Sequence, residues 1–90
     1  MAITFDPDKS AKNIAERGLS FELAEELEWH TAMVSEDRRR DYGETRLQVL
    51  ALLDGRLYAV VVTPRGEDLR VISLRKANKR EVTRYGKKDG

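Results

Sequence analysis

Eight lysines and arginines lie between Arg70 and Gly90: Arg70, Arg75, Lys76, Lys79, Arg80, Arg84, Lys87 and Lys88. Only two acids, Glu81 and Asp89, stand among them. Guanidinium and ammonium groups at this density hold phosphate or an acidic partner through charge-assisted hydrogen bonds. Two arginines are best placed for a phosphate, because each sits at the end of a strand-like run: Arg46 opens one and Arg75 closes another. The competing readings are a salt bridge to Glu44 for Arg46 and a helix-facing ion pair for Arg75. By strict alternation Arg75 shares a face with Val71 and Ser73, while Arg70 points to the opposite face and joins it only if a bulge intervenes.

Other residues carry weaker signals. Lys9 and Lys12 fall on one exposed helix face and can meet phosphate as point charges, or form a solvated lysine face. Tyr85 can stack on a base or donate to phosphate, or anchor a helix end in the core. Glu44 can serve as a base if burial raises its pKa, or pair with Arg46. Arg38, Arg39 and Arg40 form a basic run in an acidic half, read either as a clamp for nucleic acid or a protein partner, or as a solvated loop. His30, the only histidine, reads as a boundary residue after an acidic helix.

Ninety residues with 40% hydrophobic content fit one domain spanning 1–90 with a modest core. The absence of cysteine excludes disulfides and thiolate metal sites, and one histidine cannot form a cluster, so neither a structural zinc nor another cofactor is expected. The N-terminus has no basic and apolar leader pattern, and no run is long enough to span a membrane, which makes a cytoplasmic protein the expectation. The net charge of +1 hides a polarity. Residues 1–44 hold eleven acids and six bases, whereas residues 45–90 hold five acids and eleven bases. Such asymmetry points to nucleic acid or a charged protein partner, or to two halves that neutralise each other.

These side chains must be positioned by a short series of elements. Ile3 to Phe5 reads as a strand. Asp6-Pro7 then caps a helix to about Arg17, with Ala11, Ile14 and Ala15 at helical spacing, Lys9, Lys12, Asn13 and Glu16 outside, and Gly18 ending it. Ser20 caps a second helix, Phe21 to Glu28 or Trp29, with Phe21, Leu23, Ala24 and Leu27 inward. Thr31 to Ser35 reads as a strand and Glu36 to Glu44 as a charged connection. Arg46 to Leu53 and Arg56 to Thr63 flank Asp54-Gly55, the pair that two-residue hairpin turns require. Pro64 to Glu67 turns again, and a strand returns to Leu74. Asn78 and Glu81 form a capping box for a last helix ending near Tyr85-Gly86, and 87–90 read as a frayed tail. The class is α+β, with two N-terminal helices and a C-terminal helix packed on a mostly antiparallel sheet.

With that order in hand, a set of short segments resembles the BrnT family. They are Phe5-Asp6-Pro7-Asp8-Lys9, Asn13, Gly18-Leu19-Ser20-Phe21, Tyr42-Gly43-Glu44-Thr45-Arg46, and Arg70-Val71-Ile72-Ser73-Leu74-Arg75-Lys76-Ala77 before Glu81 and Tyr85. The resemblance implies a RelE-like fold and a ribonuclease toxin of a type II toxin–antitoxin module. It also implies a BrnA antitoxin with a ribbon-helix-helix DNA-binding domain, through which alone the complex would meet operator DNA. Two departures stand out. Family members often carry Lys-His-Gly where this chain has Glu16-Arg17-Gly18, and Trp where it has Phe5. Arg17 can hold a phosphate but cannot act as a base.

A metal-free ribonuclease of that kind must activate a ribose 2′-hydroxyl, stabilise a pentacoordinate phosphate and protonate the leaving 5′-oxygen. The resulting expectation places Arg46, Arg75, Glu44 and Tyr85 in the catalytic site, and Lys9, Lys12, Arg17 and Arg70 on bound RNA. The alternative is a catalytically impaired homologue that binds an antitoxin or RNA.

Overall fold

The computed structural model describes residues 2–87 of the chain. The strands are β1 (Ile3–Thr4), β2 (Glu28–Glu36), β3 (Leu47–Leu53), β4 (Arg56–Arg65) and β5 (Asp68–Lys76). The helices are α1 (Pro7–Arg17) and α2 (Lys79–Gly86), with a 3₁₀ helix at Phe21–Glu25. The strands form one mixed sheet in the order β1-β5-β4-β3-β2. Three pairings are antiparallel, and β1 joins β5 in parallel at the edge. The α+β class stands. The arrangement differs from the expected one in having two α-helices and a mixed sheet.

The central hairpin forms as its turn chemistry requires. Asp54 and Gly55 take φ of 50° and 78°, both positive, which a two-residue turn needs to match the strand twist. β4 runs on to Arg65, and Pro64 is tolerated because β3 pairs with β4 only as far as Val62.

The second expected helix is cut short. Only Phe21–Glu25 is helical, as 3₁₀, and Glu28 and Trp29 already belong to β2. Glu22, Glu25 and Glu26 repel one another at helical spacing, and acids near a helix C-terminus oppose its dipole. The Trp29 indole N–H donates to the Ala24 carbonyl at 2.9 Å and closes the turn. The inward residues are as read: Phe21, Ala24 and Leu27 are buried.

α1 corrects its own reading. Its buried residues are Ser10 and Asn13, while Ala11 and Ala15 are exposed and Ile14 is 49% exposed. The helix docks by hydrogen bonds rather than by an apolar stripe. The Asn13 amide donates to the carbonyls of Leu19 at 2.8 Å and Leu74 at 3.0 Å, and the Ser10 hydroxyl accepts from the Phe21 amide.

Each sheet face carries its own core. Val49, Ala51, Val60, Val62, Val71 and Leu74 pack with Phe21, Ala24 and Leu27 on one side. On the other, Leu50, Leu57 and Ala59 pack with Met33, Leu52, Ala77 and Tyr85 of α2. Burying side chains of this size contributes about 1.5–3 kcal/mol each.

A β-bulge in β5 sets the geometry of the polar surface. Val61 pairs with Ser73 and Val62 with Val71, which leaves Ile72 as the extra residue. Val71 and Leu74, three apart, therefore both enter the first core. Alternation does not hold across Ile72, so Val71 is not on the face of Arg75. Arg75 pairs with Ala59 and Arg70 with Thr63, four residues apart on β4, so both arginines emerge on the α2 face.

Candidate functional site

The α2 face is apolar where the helix covers it and polar beyond. Glu81, on the inward side of α2, organises the boundary. Its carboxylate accepts two hydrogen bonds from the Arg75 guanidinium, at 2.7 and 2.8 Å, and one from the Asn78 amide at 3.0 Å, while the Asn78 side chain caps the Glu81 amide. Glu81 is 6% exposed. These donors hold its carboxyl below the usual range, Arg75 contributing most, and the pairing raises the Arg75 pKa in turn.

Gln48 of β3 extends this cluster. Its amide reaches Glu81 at 3.5 Å, and its carbonyl accepts from Arg84 at 3.0 Å. Ser35, Asp37, Arg39, Gln48 and Arg84 line a cavity of about 260 Å³. Arg39 is held there by Asp37, whose carboxylate accepts from the Arg39 amide, from Nε and Nη2 of its guanidinium at 2.9 and 2.8 Å, and from the Tyr42 hydroxyl at 3.2 Å. The Asp37 side chain is 4% exposed, and the Arg39 hydrogen bond leads the effects that bring its pKa to about 2. Gln48 links the two halves: it meets Arg84 and the Glu81 that holds Arg75, and it lines the cavity with Arg39. Arg39, Arg75 and Arg84 thus converge on one place.

Arg46 borders this group through Tyr42. Its guanidinium lies 4.0 Å from the Tyr42 ring centroid, and its carbonyl accepts from the Asp37 amide. It also pairs with Glu44 at 3.2 Å, and Glu44 pairs in addition with Arg65 at 3.3 Å. The ion-pair readings of Arg46 and Arg75 are therefore both realised. Each arginine is held by a carboxylate and keeps part of its side chain open to solvent.

The other sequence-derived residues are distributed differently. Lys9, Lys12 and Arg17 line a separate cavity of about 270 Å³ on the α1 side, together with Ile72, and do not meet Arg46 or Arg75. Tyr85 is a helix-end anchor: its hydroxyl donates to the Thr31 carbonyl at 2.6 Å. That contact sits where the β2–β3 ladder breaks between Glu28 and Met33, with the Thr31 hydroxyl bridging from the Leu52 amide to the Glu28 carbonyl. His30 is exposed on β2. Arg70 has no ion pair among the described residues and stands about 13 Å along the strand from Arg75.

Sequence reading missed Gln48 and Arg84 as members of the cluster and left Arg39 undistinguished within a basic run. The usable signal for Arg39 was Asp37, two residues before it. Gln48 and Arg84 are brought together only by the docking of α2. Among the described residues, no three His, Asp or Glu side chains gather where they could hold a metal ion. No helix is long and apolar enough to cross a membrane.

The class is a small α+β fold with arginines, each fixed by a carboxylate, gathered beside its last helix. A family model described as ribonuclease toxin, BrnT, of type II toxin-antitoxin system matches residues 5–81, and the chain belongs to that family. A search of the curated proteins returned no match.

Proposed function

We propose that the protein is a metal-independent endoribonuclease toxin that cleaves RNA to arrest translation and growth, with a RelE-like use of its sheet face. In this reading a BrnA-like antitoxin with a ribbon-helix-helix domain neutralises it in the cytoplasm. The observation that carries the reading is the convergence of Arg39, Arg75 and Arg84 around Gln48 and Glu81.

The 2′-oxygen attacks phosphorus and the bond to the 5′-oxygen breaks, leaving a 2′,3′-cyclic phosphate and a 5′-oxygen that takes a proton from water to become the 5′-hydroxyl. Negative charge grows on the non-bridging oxygens as this happens. Donors already fixed around that position stabilise it without reorganising, and removing one such donor from an enzyme site costs about 2.7–4 kcal/mol. Arg75 is fixed by Glu81 and Arg39 by Asp37, so both are preorganised; Arg46 is steadied by Tyr42. Arginine does not give up its proton near neutrality, so these groups stabilise charge and do not transfer protons. Glu44, paired with Arg46 and Arg65 but with its side chain 29% exposed, is the carboxylate assigned to take the 2′-hydroxyl proton; Glu81 is buried under Arg75 and out of reach. Arg70, and on the other side Lys9, Lys12 and Arg17, hold flanking RNA. Tyr85 contributes through the position of α2.

The test is incubation of purified protein with RNA in the presence of a chelator. Products ending in 2′,3′-cyclic phosphate, together with growth arrest on expression, are expected; intact RNA and unimpaired growth would reject the enzyme. Glu44→Gln should lower kcat with little change in KM. The second reading, an impaired homologue that binds without cleaving, is favoured by Arg17 standing where relatives often carry histidine. Salt-sensitive RNA binding without cleavage would establish it.

A further inference from the structure

We infer that the outer face of α2 is a track for single-stranded RNA that leads into the arginine cluster. The inference rests on the ribonuclease reading above and extends it to the path of the substrate.

Lys79, Arg80, Thr83, Arg84 and Lys87 line one open groove on the helix exterior, all exposed. They are not spread around the circumference, as a sequence-only view of the helix allows. The one acid of α2, Glu81, is turned inward to Arg75, so the only charges α2 places on its outer face are positive. Lys79, Arg80 and Lys87 form no ion pair among the described residues.

This pattern works against the helix that bears it. Lys79 and Arg80 occupy the first turn, where the helix dipole favours acids. Arg80 and Arg84 stand four apart, a like-charge spacing that destabilises a helix. Folding therefore does not account for Lys79 and Arg80, and binding of an anion does; Arg84 and Lys87 lie at the C-terminal end, where the dipole accepts cations.

Two observations favour RNA over an acidic protein. First, Arg84 belongs both to this groove and to the cavity with Arg39 and Gln48, so the groove adjoins the proposed catalytic site at that residue. Second, among the described residues the groove has no aromatic or large aliphatic anchor, whereas protein interfaces centre on such residues and are depleted in lysine. Backbone phosphates need only the cations.

The test uses a labelled 2′-O-methyl oligoribonucleotide, which cannot undergo attack by a 2′-hydroxyl, with the full chain and the variant Lys79→Ala/Arg80→Ala/Lys87→Ala. Arg84 is left in place because it belongs to the catalytic cluster. The variant should bind at least tenfold more weakly at low salt. Its log affinity against log salt slope should fall by about 2, since each phosphate contact on a single strand contributes about 0.7. The thermal midpoint should stay level or rise, and cleavage of a dinucleotide should be unchanged. Arg80→Gln alone should reduce the slope by about 0.7, which keeps the test available if the triple variant folds poorly.

Unchanged affinity and slope would overturn the track, as would a fall in the midpoint of Arg80→Gln, which would assign the cation to the fold. Loss of a co-expressed antitoxin with RNA affinity intact would assign the face to a protein partner and also overturn it. The two readings fail separately. A parent protein that binds the modified strand and cleaves no unmodified RNA refutes the ribonuclease alone; one that cleaves while the triple variant binds as tightly refutes the track alone.

Discussion

Arg75 on β5 and Glu81 on α2 are joined by two parallel hydrogen bonds of 2.7 and 2.8 Å, and the same carboxylate caps the helix that carries it. One ion pair thus fixes both the start of α2 and the orientation of the arginine at the mouth of the cluster. Removing either partner leaves the other poorly compensated, because Glu81 is buried. Structure and proposed chemistry are coupled at this point, and a simple truncation confounds them.

Substitution of Arg75 should accordingly be graded. Arg75→Lys keeps the charge that Glu81 requires but loses the planar two-point contact. It should retain the fold and lower cleavage by about 100-fold, the scale expected for loss of one fixed donor at developing charge. Arg75→Ala should both lower activity and destabilise by about 1–3 kcal/mol, less than for a fully buried pair because Arg75 is one-third exposed. Adding Glu81→Gln to Arg75→Ala should recover part of that stability and none of the activity. Chemical denaturation and RNA cleavage measured on the same three variants check this.

Asp37 gives a pH dependence with a definite sign. Its pKa falls from 3.8 to about 2 on folding, mainly through Arg39, so between those values the unfolded chain binds more protons. The stabilisation is complete above about pH 4 and is lost as pH falls through 2. Glu81, also lowered, contributes in the same direction. Asp37→Asn should therefore be less stable than the parent at pH 6, with the difference shrinking toward pH 2.5. Denaturant midpoints of the two proteins across that range give the comparison. A constant difference would show that Asp37 acts through shape rather than charge. At neutral pH the same variant frees Arg39 and should weaken RNA cleavage.

Much of the fold was legible because local signals agreed with tertiary needs: Asp54-Gly55 fixed the hairpin, and Asn78 with Glu81 fixed the start of α2. What escaped was set at a distance. The bulge at Ile72 has no glycine to announce it, yet it alone brings Arg70 to the face of Arg75. α1 was inverted because Ser10 and Asn13 look like surface residues until Leu19, Phe21 and Leu74 are placed beside them. Of the candidate site, Arg46 and Arg75 were visible as strand ends. Gln48 and Arg84, 36 positions apart, could be joined only by the docked helix.

Asn13 should prove a structural residue despite its place among lysines. Its amide satisfies two carbonyls on different elements, one of them buried with Leu74. Asn13→Ala leaves both without their donor, at a cost of about 1–3 kcal/mol for each buried group left unpaired. For a domain of this size each kcal/mol lowers the melting midpoint by about 4–8 °C. The expected loss is visible by thermal melting. RNA affinity, measured well below the transition, should be unchanged, which separates Asn13 from its neighbours Lys9 and Lys12.

Tyr85 tests how α2 is held. Its hydroxyl donates to Thr31 at the break in the β2–β3 ladder, and its ring packs with Leu50, Leu57 and Ala59. Tyr85→Phe keeps the packing and leaves the Thr31 carbonyl without this donor, a change of about 1 kcal/mol. Tyr85→Ala also removes the ring, at about 3–5 kcal/mol, and should loosen the helix end that carries Arg84. If Tyr85 acts only by anchoring, Tyr85→Phe should cleave RNA at the parent rate while Tyr85→Ala loses activity in step with the order of α2. A large fall in kcat for Tyr85→Phe, with its melting midpoint near that of the parent, would instead place the hydroxyl in the chemistry.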